Sequence, residues 1–392
     1  MTSSPSLGQV LRDLIKSLTA AALRLSPHQW KVVRALAACR TSALGGQLFE
    51  CRECGRQHFV AHSCRNRHCP QCQGTRAADW LEQQEAALLP IPYFHLVFTL
   101  PHSLNGLIRQ NRPALFKLLF AAASQTLLEF GEARLKAQIG ITAVLHTWSQ
   151  TLLDHYHLHC IVTGGGVALD GTRWVSSSAH YLFPIKALSV MFRGKFLAGL
   201  KVLFDAGQLE FHGQLATLAK PSQFAALVRE AAAPEWVVYA KRPFAGPKQV
   251  LAYLSLYTHR VAISNRRLIS ADGQNVTFAY KDYSDAAKQK TMTLSAEEFV
   301  RRFCLHILPE RFVKIRHYGL LGNRQRQQRL AKARELLGIS APPMPQETST
   351  AKEAGTESLR ARCPYCQRPS LVLVREVAPQ RAARPIVRLD SS

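Results

Sequence analysis

The chain has 392 residues, 47% of them hydrophobic, which is enough for two or three domains with cores of their own. Fifty Lys and Arg against twenty-six Asp and Glu leave a formal charge of +24, spread along the chain rather than collected in one tail, which points to a polyanion, nucleic acid by default. No apolar run approaches the ~20 residues of a spanning helix, and the N-terminus MTSSPSLGQV lacks a charged-then-apolar signal, so a soluble intracellular protein with no membrane partner is expected.

Residues 7 to 45 place Leu7, Val10, Leu11, Leu14, Ile15 and Leu18, then Trp30, Val33 and Leu36, at helical spacing, with a helix start at Ser26-Pro27. Two helices are predicted. Next, Cys51-x2-Cys54 and Cys69-x2-Cys72, separated by fourteen residues, have the spacing at which four thiolates close a tetrahedral zinc site. Cys64 and His68 lie between the pairs and are candidate replacements for one ligand. Arg65 and Arg67 sit beside the site, so the module is expected to contact nucleic acid as well as to stabilise the fold. In a large chain without a secretory signal, such pairs indicate metal in a reducing compartment rather than disulfides.

A helix over TRAADWLEQQEAALL leads to Pro90 and Pro92, and a strand follows over residues 93 to 100. Helices are predicted from about 103 to 139, then strands at 141 to 149 and 156 to 163 that pair antiparallel. The second strand carries HYHLHC. Alternation puts His155, His157 and His159 on one face and Tyr156, Leu158 and Cys160 on the other. Imidazoles two residues apart, with Cα atoms roughly 6.6 Å from each other, can converge on one divalent ion, so His157 and His159 form the ligand pair. The third ligand is left open between His146, His155 and Gln150. Gly164, Gly165 and Gly166 are read as a turn that ends the strand.

Residues 181 to 205 read as a basic helical pair, with Lys186, Arg193, Lys195 and Lys201 placed to meet a DNA backbone. A strand over EWVVYAKRPF, with Lys241 and Arg242 near its end, precedes a helix starting at Gly246-Pro247. On that helix Tyr253 and Tyr257 share a face, four residues apart, and Arg260 follows. A β-hairpin turns at Asp272-Gly273, and residues 338 to 362, rich in Pro, Ser, Thr and Ala, read as a linker. Cys363 and Cys366 beyond it are half of a zinc ribbon whose partner ligands are not apparent downstream.

Taken together, CRNRHCPQC, HTWSQ, HLHC, the three glycines, FPIKALSVMFRGKF, WVVYAKRPF and YLSLYTHRVAISN resemble the transposases of the insertion sequence ninety-one family, rolling-circle elements with a two-tyrosine HUH nuclease. The resemblance extends from about residue 45 to 320. It implies that His157 and His159 hold Mg²⁺ or Mn²⁺, that Tyr257 and Tyr253 are nucleophiles, and that the N-terminal cysteines bind structural zinc. It further implies metal-dependent cleavage and rejoining of single-stranded DNA in the bacterial cytoplasm, at the nucleoid. A replication initiator or relaxase shares the nuclease motifs, but no phosphate-binding GxxxxGK[ST] loop of an attached helicase is present. A non-catalytic zinc-ribbon regulator would need neither the histidine strand nor the paired tyrosines. The expected fold is α+β: a helical and zinc-binding domain over 1–89, a nuclease domain with a central antiparallel sheet flanked by helices over 90–320, a basic helix and linker over 321–362, and a tail over 363–392.

Overall fold

A computed structural model describes residues 5–17, 23–74, 88–178, 180, 182–241, 250, 260–339 and 362–380. Helix α1 (Leu7–Ser17) buries Leu7, Val10, Leu11 and Leu14, the stripe that helical spacing dictates. Helix α2 (Pro27–Ala37) begins with a reciprocal capping box: Ser26 Oγ accepts from Gln29 N at 3.2 Å, and the Gln29 side chain accepts from Ser26 N at 2.9 Å. Strands β1 (Gly46–Cys51) and β2 (Gln57–Ala61) follow. Most of the predicted helix over 75–89 lies outside the described residues.

The centre of the protein is an antiparallel sheet. Its strands are β3 (Tyr93–Thr99), β4 (Ala137–Trp148), β5 (Asp154–Ala168), β6 (Trp174–Ser176), β7 (Val238–Lys241) and β11 (Ile315–Gly319). Their order is β11-β4-β5-β3-β7, with β6 paired to β5. Strict alternation sorts each strand's residues between two faces. Phe94, Leu96 and Phe98 of β3, Ile141, Ala143 and Leu145 of β4, and Tyr156, Leu158, Cys160 and Val162 of β5 share one apolar core. Helices α3 (Asn105–Gln110), α4 (Arg112–Phe130), α5 (Ile185–Asp205) and α6 (Pro221–Ala232) contribute to that core, and the opposite face carries the histidines. Helix α4 with the turn after it is long and apolar enough to cross a membrane by length and composition, but most of it is buried in this core.

Two expectations change here. Residues 185–205 form one continuous helix rather than a pair, because Leu188, Phe192, Phe196 and Leu200 keep a single buried stripe along it. The three glycines do not end β5; the strand runs through them to Ala168. Between the pairs Ile139↔Gly166 and Ile141↔Val162, residues 163 to 165 of β5 oppose the single residue Gly140 of β4, so the strand is bulged at this point. Gly165 has φ +147°, and a Cβ on Gly164 would come within 2.8 Å of the Pro92 carbonyl oxygen. Close approach of neighbouring backbone, rather than reversal of the chain, demands glycine there.

A second sheet comprises β8 (Leu268–Ala271), β9 (Asn275–Asp282) and β10 (Lys288–Ser295), with the expected turn at Asp272-Gly273. It leads into α7 (Ala296–Cys304), where Ser295 Oγ caps Glu298 N and Glu298 binds Arg301 and Arg302, each at 2.6 Å. Helices α1, α2 and α7 and this sheet share one core, so the N-terminal helices pack on residues 262–307. Helix α8 (Arg326–Leu336) follows, and β12 (Leu371–Val377) pairs antiparallel with β1.

Candidate active site and cysteine centres

His157 and His159 lie on the face of β5 opposite the main apolar core, and β4 brings His146 directly opposite His157. Ligand atoms of these three side chains lie within 4.8 Å of one another. His146 therefore completes the group whose third member the sequence leaves open. The His155 ring sits 4.7 Å from that of His157 but outside the group. Gln150 lines the same cleft, and its Oε1 accepts from Lys281 N at 3.4 Å.

A hydrogen bond to a backbone carbonyl fixes which nitrogen of His157 is free to bind a cation. His157 Nδ1–H donates to the His155 carbonyl oxygen at 2.8 Å, leaving Nε2 as the ligand nitrogen. His159 Nδ1 meets His95 Nε2 at 2.9 Å, and the two rings stack 5.1 Å apart. With the proton on His159 Nδ1, His159 also presents Nε2. His95, in β3 and 2% exposed, is thus a positioning partner that the sequence reading missed. The period-2 pattern that put Phe94, Leu96 and Phe98 in the core was the available signal, because it assigns His95 to the other face.

Burial pushes the imidazoles toward the neutral form that a cation requires. It lowers His157 to about 3 and His95 to about 4, and holds His159 well below the usual histidine range. Neutral His157 and His159, with His146 closing the group, are a donor set that fits a divalent transition ion.

The group opens into a cleft of about 800 Å³, walled by Trp148, Arg260 and the hairpin residues Tyr280 to Ser284. Trp148 stacks on His146 with centroids 4.6 Å apart, and Tyr283 is 71% exposed. Tyr253, Tyr257 and Arg242 lie outside the described residues. On either side of the tyrosine stretch, Val250 packs in the small core that includes Tyr93 and Ile161, and Arg260 lines the cleft. Both flanking residues are on the histidine face.

The expected zinc set Cys51, Cys54, Cys69 and Cys72 is divided between two groups. Cys69 and Cys72 join Cys39 and Cys64, whereas Cys51 and Cys54 lie with Cys363 and Cys366. In the first group Cys39–Cys72 and Cys39–Cys69 are each 3.6 Å apart, and Cys64–Cys72 is 3.7 Å. Zn–S bonds of ~2.3 Å predict tetrahedral edges of about 3.8 Å, so these four thiols fit one zinc. The reason for the division is geometric. Cys51 ends strand β1, which turns it toward the C-terminal segment paired along that strand, while Cys39 follows α2 and reaches Cys69 and Cys72. Cys39 has no nearby cysteine partner in sequence, so spacing alone does not reveal it.

The basic residues also divide. Arg67 donates to the carbonyl oxygens of Phe312 and Pro309, so it holds a turn together instead of facing solvent. Arg193 donates to the carbonyl oxygens of Ala232 and Pro234 at 3.1 and 3.2 Å, and Lys195 pairs with Glu129 at 2.7 Å. Together with Lys186 they belong to α5, across the sheet from the histidines, and are not brought to the cleft. Lys241 stands opposite His95 on the edge strand β7. Arg65 lines a groove of about 970 Å³ on the cysteine module with Arg40, His58, Phe59 and His62.

Comparison with known families gives two matches. The family described as "Transposase zinc-binding domain" matches residues 10–100, and the one described as "Putative transposase" matches residues 140–329. The chain is 44% identical over 380 residues, 95% of each chain, to "Putative transposase y4qJ" of Sinorhizobium fredii. It is 31% identical over 321 residues, 81% of this chain and 76% of the relative, to the transposase for insertion sequence element IS801 of Pseudomonas savastanoi pv. phaseolicola. Among solved structures, a conjugative relaxase TrwC in complex with oriT DNA aligns over 60% of this chain and 95% of its own, at 12% identity and a TM-score of 0.25. That likeness carries no functional argument.

Proposed function

Because the chain belongs to the insertion sequence ninety-one family of transposases, we propose that it cuts and rejoins single-stranded DNA in the histidine cleft, through a 5′-phosphotyrosine intermediate. The observation that carries this reading is the gathering of His146, His157 and His159 in a cleft whose walls are aromatic and basic. His146, His157 and His159 would hold a divalent ion, which would supply charge stabilisation at the scissile phosphate. An all-imidazole set favours Mn²⁺ over Mg²⁺, which prefers oxygen ligands.

The chain's own groups do the rest. A tyrosine phenol with a pKa of about 10 is a weak nucleophile until it loses its proton, so attack by Tyr257 Oη on phosphorus is coupled to that loss. The P–O3′ bond breaks, the departing 3′ oxygen takes up a proton, and the DNA 5′ end stays on the tyrosine. Attack of a 3′-OH on the phosphotyrosine reverses the step, and the bond energy is conserved without ATP. Tyr253 is the second nucleophile, which receives or resolves the transferred strand. Arg260 meets a phosphate, and Tyr280 and Tyr283 offer π-faces on which unpaired bases stack. The groove with Arg40, Arg65 and Phe59 is a second DNA contact, on the zinc module.

The test is incubation of the full chain with single-stranded oligonucleotides from the element's ends and Mn²⁺, followed by denaturing electrophoresis and peptide mapping. An SDS-resistant adduct on Tyr257 is expected. Tyr257→Phe should abolish it, and Tyr253→Phe should still form it but fail to complete transfer. An adduct on neither tyrosine overturns the mechanism.

A further inference from the structure

The C-terminal cysteines fall outside both matched family segments, 10–100 and 140–329. Nevertheless they meet the N-terminal module at close range. Cys51 and Cys366 sulfurs are 3.6 Å apart, Cys54 and Cys363 sulfurs 3.7 Å, and all four lie within 4.8 Å of one another. These are again the edges expected for a tetrahedron with bonds of ~2.3 Å.

The two C-x-x-C turns are built alike. Cys51 N donates to the Arg56 carbonyl at 3.0 Å, and Cys363 N to the Arg368 carbonyl at 2.8 Å. Gly55 N donates to the Cys51 carbonyl and Gln367 N to the Cys363 carbonyl, both at 2.8 Å. The residue after the second cysteine is left-handed in both, Gly55 at φ +67° and Gln367 at φ +62°. A non-glycine residue held in that conformation costs free energy that some other interaction must offset. Thus the two turns, 315 positions apart in sequence between Cys51 and Cys366, form the matched halves of one four-cysteine site.

Surrounding contacts keep the halves in register. Strand β12 pairs with β1 from Cys51↔Leu371 to Gly46↔Val377, and Arg368 binds Glu53 at 2.7 Å. Arg56 lies 5.1 Å from the centre of the Tyr365 ring.

From this geometry we infer that the protein carries a second structural zinc, held by Cys51, Cys54, Cys363 and Cys366, that ties the C-terminal segment to the N-terminal module. The metal closes the chain on itself. It stands apart from the Cys39, Cys64, Cys69, Cys72 site, and removal of one leaves the other with its full set of ligands.

Zinc stoichiometry of the reduced full chain, measured by elemental analysis with protein quantified independently, should be two per chain. The Cys363→Ser/Cys366→Ser double variant should hold one, and hydrogen exchange in β12 should rise while that of α1 and α2 stays unchanged. A wild-type value of one, or a variant that keeps two, overturns the proposal. Wild-type protein alone provides an independent check, should the variant not fold. Under graded chelation, thiol alkylation should expose Cys51, Cys54, Cys363 and Cys366 as one set, separately from Cys39, Cys64, Cys69 and Cys72. Alkylation of Cys363 and Cys366 in zinc-loaded protein while Cys51 and Cys54 remain protected would contradict a shared ion.

Discussion

His95 offers the sharpest test of how the histidine cleft is assembled. It is not itself one of the three grouped histidines, yet its Nε2 lies 2.9 Å from His159 Nδ1, in a setting where His95 is 2% exposed. In His95→Phe the ring remains, so packing beside His159 is largely kept, but the hydrogen-bond partner is lost. His159 Nδ1–H then loses that partner in a buried site, a cost of about 1–3 kcal/mol. Part of that cost is relieved by a tautomer flip, which puts the proton on the ligand nitrogen Nε2, or by ring rotation, which presents Nδ1 instead, and both weaken cation binding. Loss of an outer partner of a metal-binding imidazole typically weakens metal affinity ~10–100-fold, about 1.4–2.7 kcal/mol, which agrees with the hydrogen-bond figure. Calorimetric titration of the full chain with Mn²⁺ measures this directly. His95→Gln, which can accept from Nδ1–H, should recover part of the loss. His155→Phe should bind Mn²⁺ like the wild type, because His157 is held by the backbone carbonyl of residue 155 and not by its side chain. Mn²⁺ affinity of His95→Phe within twofold of the wild type, with an unchanged melting temperature, would refute the positioning role.

Further outcomes follow from the same geometry. His157→Ala should eliminate strand cleavage while single-stranded DNA affinity changes less than about threefold, since the residue serves the reacting phosphate; parallel loss of both would indicate a structural role. Tyr283→Ala should weaken single-stranded DNA binding by roughly 1–3 kcal/mol per base that it stacks, read by fluorescence anisotropy, and unaltered affinity would remove the hairpin from the binding surface. Burial holds His68 and His157 at about 3 and His95 and His306 at about 4, below the ~6.5 of an unfolded imidazole. Between those values the unfolded chain binds protons that the folded chain does not. Stability of the metal-free protein should therefore be complete above about pH 6.5 and fall as pH drops toward 4, by up to ~1.4 kcal/mol per pH unit for each histidine. Urea midpoints that stay flat from pH 7 to 4 would contradict this. Gly164→Val should destabilise the fold by several kcal/mol, since its Cβ meets the Pro92 carbonyl oxygen at 2.8 Å, whereas Gly55→Asn in an open left-handed turn should cost on the order of 1 kcal/mol.

What the sequence determined by itself was whatever rests on short-range periodicity. Two-residue alternation in HYHLHC put His157 and His159 on one face, helical spacing and the Ser26 cap defined α2, and Asp272-Gly273 marked the hairpin. These features are written within a few residues of backbone, so no long-range contact can disguise them. The tertiary structure decided the partnerships. His146 became the third member of the histidine group because the β4–β5 register sets it opposite His157, and His95 reaches His159 across 64 positions of sequence. Cys51 and Cys69 look like parts of one zinc motif, yet each found its ligands elsewhere, since side-chain direction at the end of a strand counts for more than spacing. The glycines of β5 signalled special backbone, but whether that meant a turn or a crowded bulge depended on Pro92 and Val175 pressing against them. Likewise Arg67 and Arg193 added to the charge that suggests DNA, and only the fold shows them donating to backbone carbonyls. Charge and residue type are local properties of the chain; which surface a side chain faces is settled by the packing of segments far apart in it.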